Sequence, residues 1–108
     1  MEKIWDVVIV GGGPAGLSAA LYAGRAKLET LYLEKSREGG QITITEEVAN
    51  YPGGLRGDSG TTLTQRMAEQ AAYFGAHKEI DCIDSVDFSG EIKVLHGRKG
   101  DYHARSVI

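Results

Sequence analysis

The 108-residue sequence predicts an α/β fold: a parallel sheet with helices packed on it and a small antiparallel meander. Three observations carry the prediction. The apolar run Val7-Val8-Ile9-Val10 leads into the turn Gly11-Gly12-Gly13-Pro14-Ala15-Gly16 and then into a helical pattern. A second apolar run, Thr30-Leu31-Tyr32-Leu33, follows one crossover later and ends at Glu34. Beyond residue 77 the pattern shortens to brief strands separated by turn residues, as a meander requires.

Each element has its own signal. Residues 7–10 are a continuous apolar run and read as the first strand, leading directly into the glycine turn. Leu17, Ala20, Leu21, Gly24 and Leu28 then recur at helical spacing, with Arg25, Lys27 and Glu29 as polar partners. The second strand, 30–33, ends at Glu34 and is followed by the charged turn Lys35-Ser36-Arg37-Glu38. Ile42-Thr43-Ile44-Thr45 alternates like a strand, but Glu46-Glu47-Val48-Ala49 blurs it into an irregular or briefly helical connection. Asn50-Tyr51-Pro52-Gly53-Gly54 is a turn, since proline holds the residue before it extended. Ser59 is placed to cap a second helix whose apolar positions are Leu63, Met67, Ala71 and Phe74, and Gly75 marks its end. Short strands are expected at 78–83, 85–88 and 91–95, with turns at Ser89-Gly90 and at 97–100 and a last apolar piece at 102–108. The order reads as β-α-β, a connection, a second helix, a further parallel strand, and a meander covering one face. No internal repeat is visible.

The glycine turn points to a dinucleotide. In a G-x-G-x-x-G sequence Gly11 permits the tight turn, Gly13 lets the backbone approach phosphate, and Gly16 lets the helix pack closely on the strand. The helix N-terminus then presents free N–H groups and a partial positive charge to a pyrophosphate. Pro14 sits in the first turn, where no intrahelical hydrogen bond is lost. An acidic residue about 20 positions further on, at the end of the second strand, accepts hydrogen bonds from a ribose 2′-hydroxyl. Glu34 stands there, and its charge would repel a 2′-phosphate, which favours FAD or NAD over NADP. The fold class is therefore a Rossmann-like FAD/NAD(P)-binding three-layer fold with a parallel sheet plus a small antiparallel β-meander.

Bulk properties exclude other classes. The chain has room for one domain. Its 15 glycines punctuate apolar segments and form no low-complexity tract. The formal net charge is −3, with Lys and Arg dispersed, so nucleic acid is not the expected partner. No apolar stretch approaches a membrane span and no signal-peptide pattern precedes the first strand, so a cytoplasmic location is expected. Cys82 is the single cysteine, which rules out a C-x-x-C pair within the chain. His77, His96 and His103 lack metal-like spacing, and Ser18 and Ser59 lack an adjacent base, so no catalytic or metal residue is assigned.

Asp6-Val7-Val8-Ile9-Val10-Gly11-Gly12-Gly13-Pro14-Ala15-Gly16-Leu17, Glu34, Gly39-Gly40-Gln41 and, nine residues later, Asn50-Tyr51-Pro52-Gly53 together resemble the amino-terminal FAD-binding segment of low-molecular-weight thioredoxin reductases, within the class II pyridine nucleotide-disulfide oxidoreductases. The resemblance runs over nearly the whole chain. It implies FAD as cofactor, with Gly-Gly-Gln passing beside it and Asn50 near the flavin. Two glycines permit that approach, and Gln41 and Asn50 each offer a donor and an acceptor; Thr45 adds a hydroxyl. Cys82-Ile83 falls where the family's strand passes the adenine.

The implied cofactor-binding set is thus Gly11, Gly12, Gly13, Pro14, Ala15, Gly16, Glu34, Lys35, Gly39, Gly40, Gln41, Thr45, Asn50, Cys82 and Ile83. By the same resemblance, residues 1–108 are expected to form a partial FAD-binding domain lacking the NADPH/C-x-x-C domain and the returning part of the FAD domain. Such a chain would be inactive alone, with the remainder of the flavoprotein or a second subunit, and a thioredoxin-like protein, as partners. The alternatives are a stand-alone ADP- or dinucleotide-binding module, or part of a related alkyl hydroperoxide reductase or ferredoxin reductase flavoprotein.

Overall fold

A computed structural model describes residues 3–35 and 59–108. The elements are β1 (Ile4–Val10), α1 (Pro14–Arg25), β2 (Thr30–Glu34), α2 (Gly60–Tyr73), β3 (His77–Ile80), β4 (Ile83–Asp87), β5 (Lys93–Gly97) and β6 (Asp101–Val107). The expected strand at 42–45 and the turn at 50–54 lie outside the described residues.

The six strands among the described residues join one sheet in the order β3-β2-β1-β6-β5-β4. β1 pairs in parallel with both β2 and β6, and β2 in parallel with β3, whereas β4–β5 and β5–β6 are antiparallel. The meander is therefore continuous with the parallel sheet through β6, and it also packs against one face. Successive strand residues point to opposite sides, which divides the core in two. Val7, Ile9 and Tyr32 meet Leu17 and Ala20 of α1 and Ala71 of α2 on one side. Val8, Leu31 and Leu33 meet Leu95 and Ala104 of the meander, with Ile83 and Tyr102 beside them, on the other. Helices, parallel sheet and meander make the three layers. Leu17, Leu33 and Leu95 are among the largest fully buried side chains, each contributing about 1.5–3 kcal/mol of burial free energy.

The helix ends follow local chemistry. Ser59 caps α2: its Oγ accepts from Thr62 N–H at 3.0 Å, and Thr62 Oγ1 accepts from Ser59 N–H at 2.9 Å, a reciprocal capping box with threonine in the acidic position. At the other end Gly75 adopts φ +97°, its N–H bonding Ala72 O while Ala76 N–H bonds Ala71 O, a Schellman stop. α1 ends the same way, with Lys27 N–H to Gly24 O and Leu28 N–H to Ala23 O, but the left-handed position holds Lys27 at φ 62°. Leu28 thus lies beyond the helix, 43% exposed, and is not part of the helical stripe expected from its spacing. A side chain in this conformation costs about 1–2 kcal/mol, partly offset by the greater unfolded-state freedom of glycine. Lys27→Gly is accordingly expected to raise stability by about 0.5 kcal/mol, read as a higher urea midpoint at unchanged m-value.

The strand expected over 78–83 is broken. β3 stops at Ile80 and β4 starts at Ile83, because the Asp81 carboxylate takes the N–H of Cys82 at 2.7 Å and turns the chain.

Candidate functional site

The carboxyl ends of β1, β2 and β3 converge, and β1 is where the strand order switches between β2 on one side and β6 on the other. Such a switch point opens a crevice at the strand ends. Here it is an open cleft of about 260 Å³ lined by Val10, Gly11, Leu33, Glu34, Lys35, Asp81 and Ile83.

The glycine turn has the geometry that its spacing requires. Gly11 takes φ +123°, a conformation closed to residues with a side chain, and its N–H bonds Leu33 O at 2.8 Å. A Cβ on Gly16 would overlap the Gly11 carbonyl oxygen, so only glycine lets the first turn of α1 fold back onto the end of β1. Gly13 is the N-cap, Pro14 opens the helix, and no side chain among the described residues caps it. Gly13 instead accepts Leu17 N–H through its own carbonyl at 2.9 Å. The positive end of a 12-residue helix is thereby left at the cleft, where it favours an anion.

Glu34 is drawn into the same place. Its Oε2 accepts from Gly12 N–H at 2.7 Å and its Oε1 from Lys35 N–H at 2.7 Å. A Cβ on Gly12 would collide with that carboxylate, so the glycine and the acid are mutually fitted. Two backbone donors orient the carboxylate and leave lone pairs on both oxygens, since each accepts more than one hydrogen bond.

The structure brings Gly11, Gly12, Glu34, Lys35 and Ile83 around one cleft region, with Gly13, Pro14, Ala15 and Gly16 forming the turn and first helical turn beside it. Cys82 is half-buried; its N–H goes to Asp81 and its carbonyl accepts from Arg98 N–H. Gly39, Gly40, Gln41, Thr45 and Asn50 lie outside the described residues. Among the described residues no cluster of three metal-ligating side chains occurs.

Sequence reasoning passed over Asp81. It is only 6% exposed, yet it lines the cleft and accepts from Tyr102 Oη at 2.7 Å and from the backbone N–H groups of Cys82, Arg98 and Lys99. Burial raises its pKa, but the Tyr102 hydroxyl and the Lys99, Cys82 and Arg98 N–H groups together outweigh that and hold it below the ordinary 3.8. The Tyr102 hydroxyl is pushed the other way, by burial first and then by its bond to Asp81. A depressed folded-state pKa stabilises the fold above the unfolded value and loses that contribution as pH falls through the folded one. The wild-type melting temperature should therefore exceed that of Asp81→Asn at pH 6, with the gap closing below about pH 4. A constant gap across that window in a pH series of thermal melts would refute the assignment.

Comparison with known proteins bears directly on this site. Residues 5–108 match the family described as pyridine nucleotide-disulphide oxidoreductase. The chain belongs to that family. Its members include FAD-binding flavoproteins, the cofactor implied by the resemblance that the glycine turn, Glu34, Gly39-Gly40-Gln41 and Asn50-Tyr51-Pro52-Gly53 carry. All 108 residues align at 55% identity with the thioredoxin reductase of Peptoclostridium acidaminophilum, covering 34% of that protein. The thioredoxin reductase of Bacillus subtilis (strain 168) is 45% identical over 107 residues, 99% of this chain and 34% of that one. Among solved structures, a thioredoxin reductase from Gloeobacter violaceus superposes with a TM-score of 0.92 at 37% identity, over 99% of this chain and 36% of its own. The chain thus spans about a third of the length of the relatives it matches. No helix among its described residues is long and apolar enough to cross a membrane.

Proposed function

We propose that this chain is the FAD-binding part of a thioredoxin-reductase-like flavoprotein, and that the cleft at the ends of β1, β2 and β3 holds the adenosine diphosphate half of FAD. The observation that carries this reading is the Glu34 carboxylate, fixed at 2.7 Å on Gly12 N–H beside a helix N-terminus whose N-cap, Gly13, has no side chain to occupy it. Pyrophosphate suits the turn from Gly11 to Gly16, and a ribose diol suits Glu34. The glycine turn fits this group, since a Cβ at Gly12 would collide with the Glu34 carboxylate and one at Gly16 with the Gly11 carbonyl, and either would displace the turn that is to face the pyrophosphate.

FAD, when bound, supplies the redox chemistry, and the chain's residues bind and orient it. Gly39, Gly40, Gln41, Thr45 and Asn50 would serve the flavin side, with Lys35, Cys82 and Ile83 toward the adenosine. With Cys82 as its single cysteine, the chain holds no dithiol pair. The nicotinamide site and the redox-active disulfide would come from the remainder of the flavoprotein or a second subunit, with a thioredoxin-like protein as final acceptor in the cytoplasm. Residues 1–108 are on this reading one partial FAD-binding domain.

A titration with FAD, followed by flavin absorbance and fluorescence after desalting, tests the proposal. One bound flavin per chain is expected, displaced by excess ADP. Binding of ADP without retention of flavin would favour the stand-alone dinucleotide module instead, a reading consistent with the described residues framing the adenosine end. Robust NADPH-dependent thioredoxin reduction by the chain alone would overturn the division of labour.

A further inference from the structure

We propose that Asp81 is a positioning residue for the adenosine side of the cleft: it clamps the β3–β4 turn to the β5–β6 turn and so fixes Ile83 relative to Glu34. The inference rests on the reading that the cleft takes an adenine dinucleotide, and it concerns a residue that need not touch that ligand.

The backbone of Asp81 faces one way and its side chain the other. Its N–H donates to the Glu34 carbonyl at 2.9 Å, extending the β2–β3 pairing by one bond past the Glu34–Ile80 register. Its carboxylate reaches across to the meander, where Oδ2 accepts from Tyr102 Oη at 2.7 Å and from Lys99 N–H at 3.2 Å, and Oδ1 accepts from Arg98 N–H at 3.1 Å. Arg98 N–H also donates to Cys82 O at 3.1 Å, a second tie between the same two turns. One residue thus links the acid at the end of β2 to the distant turn at 97–100.

The space is closed around this arrangement. A Cβ on Gly97 would overlap Asp81 Oδ2 and lie 2.9 Å from the Tyr102 ring. Buried carboxylates are rare unless fully bonded, and this one is satisfied by neutral donors while the nearby cations are engaged elsewhere. Lys99 Nζ reaches Glu79 at 3.4 Å and Arg98 Nε reaches Asp84 at 3.6 Å. Because Ile83 is two residues beyond Asp81 and lines the cleft with Glu34 and Asp81 itself, loosening the clamp moves a wall of the site, and loosening it from the Tyr102 side does so without changing any group that lines the cleft. Binding sites depend on such supporting contacts for their geometry.

The test is calorimetric titration of the 108-residue chain with ADP, well below the melting temperature, for wild type, Asp81→Asn and Tyr102→Phe. Asp81→Asn should weaken ADP binding roughly tenfold, the scale of one lost charge-assisted hydrogen bond, and Tyr102→Phe should weaken it less. Both should keep a single cooperative melt. Amide shifts of Gly12 on adding inorganic pyrophosphate should match wild type, because the glycine turn is untouched. A merely structural role would lower pyrophosphate and ADP binding together, and that result overturns the proposal. So does a folded Asp81→Asn that binds ADP at wild-type affinity. If Asp81→Asn does not fold, wild-type affinity in Tyr102→Phe is the overturning result. If wild type itself binds no ADP while remaining folded, the dinucleotide reading fails and takes this inference with it.

Discussion

Replacing Gly16 with alanine is expected to cost about 2 kcal/mol, or roughly 10 °C in melting temperature, and to abolish ADP and FAD binding. The reason is geometric. The new Cβ would overlap the carbonyl oxygen of Gly11, a backbone atom that no rotamer change can move aside. Gly11 N–H is itself bonded to Leu33 O at 2.8 Å, so the turn cannot retreat without breaking its tie to β2. Relief must come from lifting the first turn of α1 away from β1, which exposes Leu17 and displaces the N–H groups that would face the pyrophosphate. A control at the exposed neighbour, Ala15→Ser, should stay within about 0.5 kcal/mol of wild type. Thermal melts of the two variants, with an ADP titration on each, check this expectation.

The second large effect is on specificity. Glu34→Gln keeps an oxygen that can accept from Gly12 N–H and gives up only the exposed bond from Lys35 N–H, so the fold should hold, with a melting temperature lowered by a few degrees at most, on the order of one exposed hydrogen bond. The lost charge weakens the acceptor for a ribose diol, and ADP affinity should fall roughly tenfold. Repulsion of a 2′-phosphate falls with it, so the preference for ADP over its 2′-phosphorylated form should narrow markedly. Parallel titrations of both nucleotides into wild type and variant measure the change. A preference that survives intact would place discrimination somewhere other than Glu34.

What the sequence made legible is what short-range chemistry decides. Gly11, Gly16 and Gly75 are demanded by backbone conformation or close approach, and Ser59 by an uncapped helix start; each signal lies within a few residues of its effect. Glu34 was legible because the β-α-β unit has a stereotyped length that returns the second strand beside the first. Leu28 was misplaced because apolar spacing carries no information about a left-handed residue at Lys27, one position before it. Asp81 was invisible for a different reason. Its donors at Lys99 and Tyr102 lie 18 and 21 residues away, and only the closed meander brings them together. The same tertiary bonding broke the short strand expected across 78–83. The meander's double role, continuing the sheet through β6 while burying Leu95 against Val8 and Leu31, likewise depends on pairing that no local pattern encodes.

The central claim is that the glycine turn and Glu34 form one nucleotide site. Amide chemical-shift mapping during an ADP titration tests it most directly. The claim predicts saturable shifts centred on Gly11, Gly12, Gly13, Ala15 and Gly16, with Glu34, Lys35 and Ile83 responding at the same midpoint. Saturable shifts elsewhere, for instance around Tyr73 and Phe74 at the far end of α2, with the glycine turn unmoved, would contradict it.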